Sequence, residues 1–384
     1  MKRTKEKSLL VLSATAGAGH VRAAEALVAT AKSLSLPVSI RHEDVLDFTL
    51  PVFKKVYADI QFAIINRSPE LWGFLYRRTE SKFFWKQKSA ILKLFDQFNY
   101  KKYLRALDQW NPDAVICTHF LPYAAISEQL KKPDWTIPFF GIVTDYYVHS
   151  LWLNESMKRY YVPSEETAWG MRAQGIQQQK LFVSGIPIMP QFSKQTTKRK
   201  TRISLELSPT PFTILLLSGG YGVGVIDELV PSVAEFLSSY SRKKNQLLVV
   251  CGKNQKLYET LKRKKFPPNV DVRLFQFIDF VDRLMDASDL LITKAGGLTI
   301  TEALAKHLPM IIFDPIPGQE THNTNYLLEL GAALAATNFP ILHFKIKKFL
   351  EQPSLLSSMQ ENAERIARPD AAQKILEDVV KQIR

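Results

Sequence analysis

Gly296-Gly297-Leu298-Thr299 follows an apolar run, Leu290-Leu291-Ile292-Thr293, and leads into a short helix expected over Thr299 to Lys306. Glycines where a strand hands over to a helix let backbone N–H groups approach an anion, and the helix start adds partial positive charge. The chemistry to expect there is phosphate binding. A second apolar run, Pro309-Met310-Ile311-Ile312-Phe313, exits into Pro315-Ile316-Pro317-Gly318, and Gln319, Glu320, His322 and Asn323 cluster behind it. Such clusters at the carboxyl ends of parallel strands face the ligand crevice of an α/β sheet. A helix is expected over about 321–330, closed by Gly331.

Two further glycine loops have the same setting. Residues 9–13 read as a strand, followed by Ala14-Thr15-Ala16-Gly17-Ala18-Gly19-His20 and a helix from Val21. This loop lacks the Lys-Ser/Thr of a Walker motif and the third glycine of a dinucleotide fingerprint. It fits close approach of backbone to a ligand, with His20 at the helix start as a candidate functional imidazole. Residues 212–217 form a strongly apolar run that breaks at Ser218-Gly219-Gly220-Tyr221-Gly222-Val223-Gly224. An acid, Asp145, follows the apolar run 139–143. Just past a buried parallel strand, it is placed to act as a general base or to cap the next turn.

The elements that must position these residues alternate strand and helix in both halves. Strands are expected at 9–13, 38–44, 114–118, 139–143, 160–163 and 181–184, then at 212–217, 247–251, 270–275, 290–293 and 309–313. The class is α/β. The 384 residues suffice for two domains, read as 1–193 and 203–368, with a C-terminal helix at 369–384 packing back on the first. The polar, basic stretch 193–202 is expected to be the linker. Two such domains facing each other across a cleft make the GT-B architecture, although alternation alone also allows other two-domain α/β proteins. The two cysteines, Cys117 and Cys251, lie in strands of different halves and read as reduced core residues. No apolar run is long enough to span a bilayer, and the charged N-terminus leads into a strand rather than a signal-peptide core. The seven His and two Cys show no metal-ligand spacing.

The net charge of +14 implies an anionic partner. Residues 48–107 hold twelve Lys and Arg against four acids, interleaved with thirteen aromatic rings in the span from Phe53 to Tyr103. Three readings of this region stand side by side. It can be a solvated helical face, an interfacial surface with rings at headgroup depth and bases on anionic lipid, or a single-stranded nucleic-acid platform. Interfacial contact is the favoured one.

TKAGGLTITEAL, with PIPGQETHN and GAA behind it, resembles the signature of the diacylglycerol glycosyltransferases. These are the monogalactosyldiacylglycerol synthases and the processive diacylglycerol glucosyltransferases, more distantly similar to the peptidoglycan N-acetylglucosaminyltransferase. SATAGAGHVRAAEAL resembles the family's N-terminal loop, VTDYYVHSLW its acceptor-side loop and GIPI its end-of-domain segment. Tyr221 and Leu298 depart from the pattern.

The resemblance implies an inverting transfer from a UDP-sugar to diacylglycerol, or to a glycosyl-diacylglycerol, giving a β-glycolipid and UDP. It places the diphosphate on Gly296, Gly297, Leu298 and Thr299, with Gly220 and Gly222 near by. It gives the ribose hydroxyls to Glu302 on the first helical turn, the uracil to the backbone of Phe277 and Ile278, and the sugar hydroxyls to Gln319, Glu320 and Asn323. Asp145 is the favoured base for the lipid hydroxyl, with His20 as the second choice, lining the acceptor or phosphate site. The scheme needs no metal or other cofactor, because backbone N–H groups and helix dipoles stabilise the leaving diphosphate. The enzyme is expected in the cytoplasm, held peripherally on the inner face of the cell membrane. Two other classes remain. One is a different GT-B enzyme using UDP-N-acetylglucosamine, either a cell-wall lipid transferase or a 2-epimerase. The other is a basic nucleic-acid-binding protein, which explains the charge but not the paired glycine loops.

Overall fold

The computed structural model describes residues 6–15, 17–49, 54, 73, 74, 78, 100–217, 225–241 and 243–383. The chain divides into two compact units, Met1–Pro190 with Arg368–Arg384, and Gln191–Ala367.

The first unit is built on a parallel six-stranded sheet in the order β2-β1-β3-β4-β5-β6. Its strands are β1 (Lys7–Ser13), β2 (Val38–Asp44), β3 (Ala114–Cys117), β4 (Phe139–Ile142), β5 (Arg159–Val162) and β6 (Leu181–Val183). Successive side chains of a strand point to opposite faces, so a sheet covered on both sides needs continuous apolar runs. In β1, Leu10 and Leu12 join one buried cluster with Val115, Cys117, Tyr103 and Tyr160. Leu9 and Val11 join the other, with Leu27, Phe140 and Tyr161. That second face is closed by the chain's last helix, Ala371–Gln382, through Ile375, Leu376 and Val379. Asp378 on this helix pairs with Arg159 at 2.8 Å through both carboxylate oxygens and accepts from the Tyr161 hydroxyl at 2.8 Å. Gly185 lets the helix seat. Its φ is +92°, and a Cβ there would stand 2.6 Å from the Arg368 Cβ.

The second unit is also a parallel six-stranded sheet, in the order β12-β11-β10-β7-β8-β9. Its strands are β7 (Phe212–Leu217), β8 (Asn245–Val250), β9 (Val270–Phe275), β10 (Leu290–Thr293), β11 (Met310–Phe313) and β12 (Ala333–Ala336). The helices Ile226–Tyr240 and Phe339–Glu351 lay Leu229, Val233, Leu237, Leu342, Ile346 and Phe349 on one sheet face.

The stretch 193–202 is not a free linker. Lys198–Ser204 is a helix of the second unit. Buried Arg202 donates to the carbonyls of Ala287, Pro209 and Pro211 and pairs with Asp289 at 2.8 Å. Beside it, Lys306 and Asp286 form a buried ion pair at 2.9 Å, which also ties down Lys194 and Thr196. Polar composition predicts a solvated stretch, but a guanidinium whose planar fork finds fixed acceptors overrides that tendency.

Candidate active site

The two glycine loops of the second half leave the sheet at one place. Strands β7 and β10 are paired neighbours, with Thr293 beside Leu217. The chain leaves β7 toward β8 and β9 on one side and later lays down β10, β11 and β12 on the other. Loops diverge at such a reversal and leave a crevice outside the carboxyl ends of the strands. Gly220 and Gly222, in the loop after β7, lie outside the described residues.

The loop after β10 is well defined. The helix it feeds is Gly297–Ala305, starting two residues earlier than the sequence predicts, because Gly296 is already its N-cap. The first N–H groups of a helix have no intrahelical partner, so a glycine at the first position costs little. As a glycine, the N-cap residue has no side chain to cap this helix, and the first turn holds no acid. Gly296 has φ −65° and ψ 130°, which any residue adopts. Among the described residues, a Cβ there would come within 4 Å of one atom, Glu320 Oε1 at 3.9 Å. Neither backbone conformation nor packing against the described residues therefore demands glycine at this position. The amides of Gly297, Leu298 and Thr299 stand at the positive end of the helix, with Gly296 and Thr299 half-buried and Gly297 and Leu298 buried.

Charged and polar side chains stand around this start. Lys294, at the exit of β10, pairs with Asp314, at the exit of β11, at 3.6 Å. Both line a small pocket with Leu217, Thr293, Ile226 and Phe313. Glu302, expected on the first helical turn, is the sixth residue of the helix and so lies on the second turn, half-buried. The next helix is Gln319–Glu329, also earlier than expected, which puts Gln319 and Glu320 in its first turn. Glu320 is buried and accepts from the Ile316 amide at 2.7 Å. Asn323 is fully buried and donates to the Ala295 carbonyl at 2.9 Å. In this structure these two side chains bond the strand-exit loops themselves rather than pointing to solvent. At the far end of the same sheet edge, Phe277 is 60% exposed after β9, with the Lys253 ammonium 5.5 Å from its ring centre. Ile278 beside it is half-buried. From β10 to β9 is three strand spacings, roughly 14 Å.

The first unit repeats the arrangement. Strands β1 and β3 are paired, with Leu12 beside Cys117, and the sheet order reverses between them. Gly17 is the N-cap of the helix Ala18–Ser33, again with no side-chain cap and no acid in the first turn. His20 lies on that first turn. Its Nδ1 stands 2.8 Å from the Thr118 carbonyl and 3.0 Å from the Thr144 hydroxyl. A carbonyl accepts and never donates, so this bond assigns the proton to Nδ1 and leaves a lone pair on Nε2. Burial pushes the His20 imidazole down to about 4, against the opposing effect of the Thr118 bond. It is therefore neutral at pH 7. The Thr118 hydroxyl donates to the His20 carbonyl at 2.8 Å and holds the helix start in place. His119 meets the His20 ring edge-on, with centroids 4.6 Å apart. Its Nδ1 accepts from the Leu121 amide at 3.1 Å. Burial, then the neighbouring His20, lower the His119 pKa well below the usual imidazole range. Trp152 closes the group at 6.3 Å from both imidazoles. Asp145 follows Thr144 directly and is half-buried.

Each half of the chain also matches a described family. Residues 20–188 match monogalactosyldiacylglycerol (MGDG) synthase, and residues 213–383 match the glycosyltransferase family 28 C-terminal domain. Along both halves the chain is similar to the diacylglycerol glycosyltransferases. Its relatives include the processive diacylglycerol beta-glucosyltransferases of Bacillus pumilus, 27% identical, and Bacillus subtilis, 26% identical. Each alignment covers 98% of this chain and 95% of the relative. Among solved structures, MurG of Acinetobacter baumannii aligns over 98% of this chain and 99% of its own, with TM-score 0.60 and 16% identity. MnaA of S. aureus, solved with UDP, aligns over 97% and 96%, with TM-score 0.62 and 12% identity. These likenesses show that the family's two sheets carry the GT-B fold.

Four residues of these sites escape the sequence reading. Lys294 is a cation directly before the phosphate-type loop, and that adjacency was the available signal. Thr118, His119 and Thr144 sit at the exits of β3 and β4. No spacing rule connects them to His20, since the sheet brings together residues about a hundred positions apart.

Proposed function

We propose that this protein, similar to the diacylglycerol glycosyltransferases, transfers a hexosyl group from a UDP-α-sugar to a hydroxyl of diacylglycerol, or of a glycosyl-diacylglycerol, with inversion to the β-glycoside. The carrying observation is the helix start at Gly296-Gly297, where the N-cap residue is a glycine and the first turn holds no acid, at the switch point of the second unit. The diphosphate lies against the amides of Gly297, Leu298 and Thr299, with Lys294 at the exit of β10 supplying a cation. Gly220 and Gly222 belong to the same proposed cradle. Glu302 accepts from the ribose hydroxyls, and the uracil lies at Phe277 and Ile278, as far along the sheet edge as a nucleotide must reach. Gln319, Glu320 and Asn323 meet the sugar, the last two after exchanging their loop hydrogen bonds for sugar hydroxyls.

In the reaction the lipid hydroxyl oxygen bonds to the anomeric carbon on the face opposite UDP, and the bond from that carbon to the diphosphate oxygen breaks. The hydroxyl proton goes to a base of the first unit. Asp145 and His20 are the two candidates, and the lone pair left on His20 Nε2 favours the imidazole on geometry. A positioned base contributes roughly 10²–10⁴ in rate. The charge arriving on UDP is met by amides already oriented for it, which is where preorganised dipoles act most strongly, and no metal is assigned a part. The acceptor lies in a bilayer, and no helix among the described residues is long and apolar enough to cross one. We assign the protein to the surface of the membrane, on its cytoplasmic face.

The test is incubation with diacylglycerol vesicles and radiolabelled UDP-glucose, UDP-galactose or UDP-N-acetylglucosamine, followed by lipid chromatography. Label moving into a glycolipid is the expected result. Label that stays on the nucleotide, with epimerised sugar, would make this a 2-epimerase.

A further inference from the structure

The second unit carries an amphipathic surface that its own core does not use. The helix Phe339–Glu351 buries Leu342, Ile346 and Phe349 at 0–1% exposure. Its outward side nevertheless shows Ile341 at 40% and Phe344 at 53%, one turn apart. Tyr240, at the end of the neighbouring helix Ile226–Tyr240, is 39% exposed and continues the strip. His343 joins the two helices by stacking on Phe236, with ring centroids 4.6 Å apart, and by a 2.9 Å hydrogen bond to Ser232. Phe236 stacks in turn on Tyr240 at 5.5 Å. The rings are therefore held in a fixed array.

Lysines flank this array. Lys348 lies over Phe344 at 5.6 Å and Lys347 over Tyr240 at 5.7 Å. Lys243 and Lys244 follow Tyr240 and are exposed. The single acid of the helix, Glu351, is already engaged by the Tyr240 hydroxyl and by Lys347. Lysine stems laid along apolar surface suit a headgroup layer. At 13 residues the helix is about 20 Å long, so it can lie on a bilayer but not cross it.

We propose that the strip Ile341, Phe344 and Tyr240, with Lys347, Lys348, Lys243 and Lys244, docks the second unit on an anionic lipid bilayer. The net positive rim selects the occupant, since a neutral apolar partner would leave these charges unmatched. The inference rests on the reading that the chain works at a membrane, but it concerns a different unit from the aromatic, basic stretch 48–107. It gives the sugar-donor unit its own hold on the surface that contains the acceptor.

The experiment is co-sedimentation of the whole protein with phosphatidylglycerol vesicles and with neutral phosphatidylcholine vesicles. Wild type is compared with Ile341→Glu/Phe344→Glu and with Lys347→Glu/Lys348→Glu. UDP affinity by calorimetry serves as the control for folding, and light scattering gives the oligomeric state. We expect both variants to bind anionic vesicles at least tenfold more weakly and UDP unchanged. Three results would overturn the inference. Wild type that ignores anionic vesicles removes the membrane reading together with it. Variants that bind vesicles as wild type does remove this surface alone. A wild-type dimer that the double variants convert to monomer reassigns the strip to contact between copies of the chain.

Discussion

At the scale of single residues, position within a helix decides what a carboxylate is for. An acid in the first turn can be explained as a partner of the helix dipole, an effect that fades beyond that turn. Glu302 is the sixth residue of its helix, so this explanation lapses and ligand binding gains. Glu302→Ala should weaken UDP binding by about 1.5–3 kcal/mol, the value of a hydrogen bond to a charged group. Calorimetry showing unchanged affinity in a folded variant would sink the ribose assignment. For the chemistry, Asp145→Asn keeps shape and removes basicity, and His20→Ala removes the imidazole. The base is whichever change lowers kcat by at least about 10² while UDP affinity holds. His20 also has a signature in stability. Burial holds its folded pKa near 4, below the ordinary 6.5 of the unfolded chain. Between those values the unfolded state binds more protons, so stability falls as pH drops from 6.5 toward 4. His20→Gln should flatten that fall in thermal unfolding midpoints. An unchanged slope would mean that the buried His119, or another group, carries it. The residue types of both sites were legible in the sequence, because glycine, His and acids at strand exits have few other uses. Their partners were not. The bond that assigns the His20 proton comes from a backbone carbonyl, and every residue type has one of those.

At the scale of elements, continuous apolar runs gave the parallel strands away, since a strand buried on both faces has no polar side to show. Helix starts were less legible. Both helices at the proposed donor site begin two residues before their predicted positions, because glycine at the head of a helix reads as a break while costing little there. The docked helix Lys198–Ser204 was illegible for the opposite reason. Its buried Arg202 is indistinguishable, by composition, from a solvated base. Gly185 illustrates an element-scale constraint that can be measured. It combines φ +92° with a Cβ position 2.6 Å from Arg368 and 3.1 Å from Ala371. Gly185→Ala meets both strain and overlap, each costing on the order of 1–3 kcal/mol. The expected result is a lowered unfolding midpoint, with the last helix, Ala371–Gln382, losing protection in hydrogen exchange before the sheet does. Equal protection of that helix in variant and wild type would show that the chain seats it without the glycine.

At the scale of the whole molecule, charge is the property that neither sheet explains. A net charge of +14 does not stabilise a compact fold, and more than half of the excess lies within 48–107. Most of that stretch lies outside the described residues, but two of its members are placed. Phe74 is 51% exposed, and the Arg78 guanidinium stands 5.9 Å from its ring centre. This is the ring-and-base pairing that an interfacial surface requires. Each Lys or Arg held near an anionic surface contributes about 1 kcal/mol, and the attraction fades within a Debye length, about 10 Å at 0.1 M salt. Binding to phosphatidylglycerol vesicles should therefore exceed binding to neutral ones and weaken as salt rises. Reversing Arg77, Arg78, Lys82 and Lys86 to Glu should weaken it strongly, leaving the hold of the second unit. UDP affinity should hold, because the proposed donor residues belong to the other unit. If co-sedimentation shows the reversed protein bound as firmly as wild type, residues 48–107 are an ordinary solvated face. The excess charge would then act through the second unit alone.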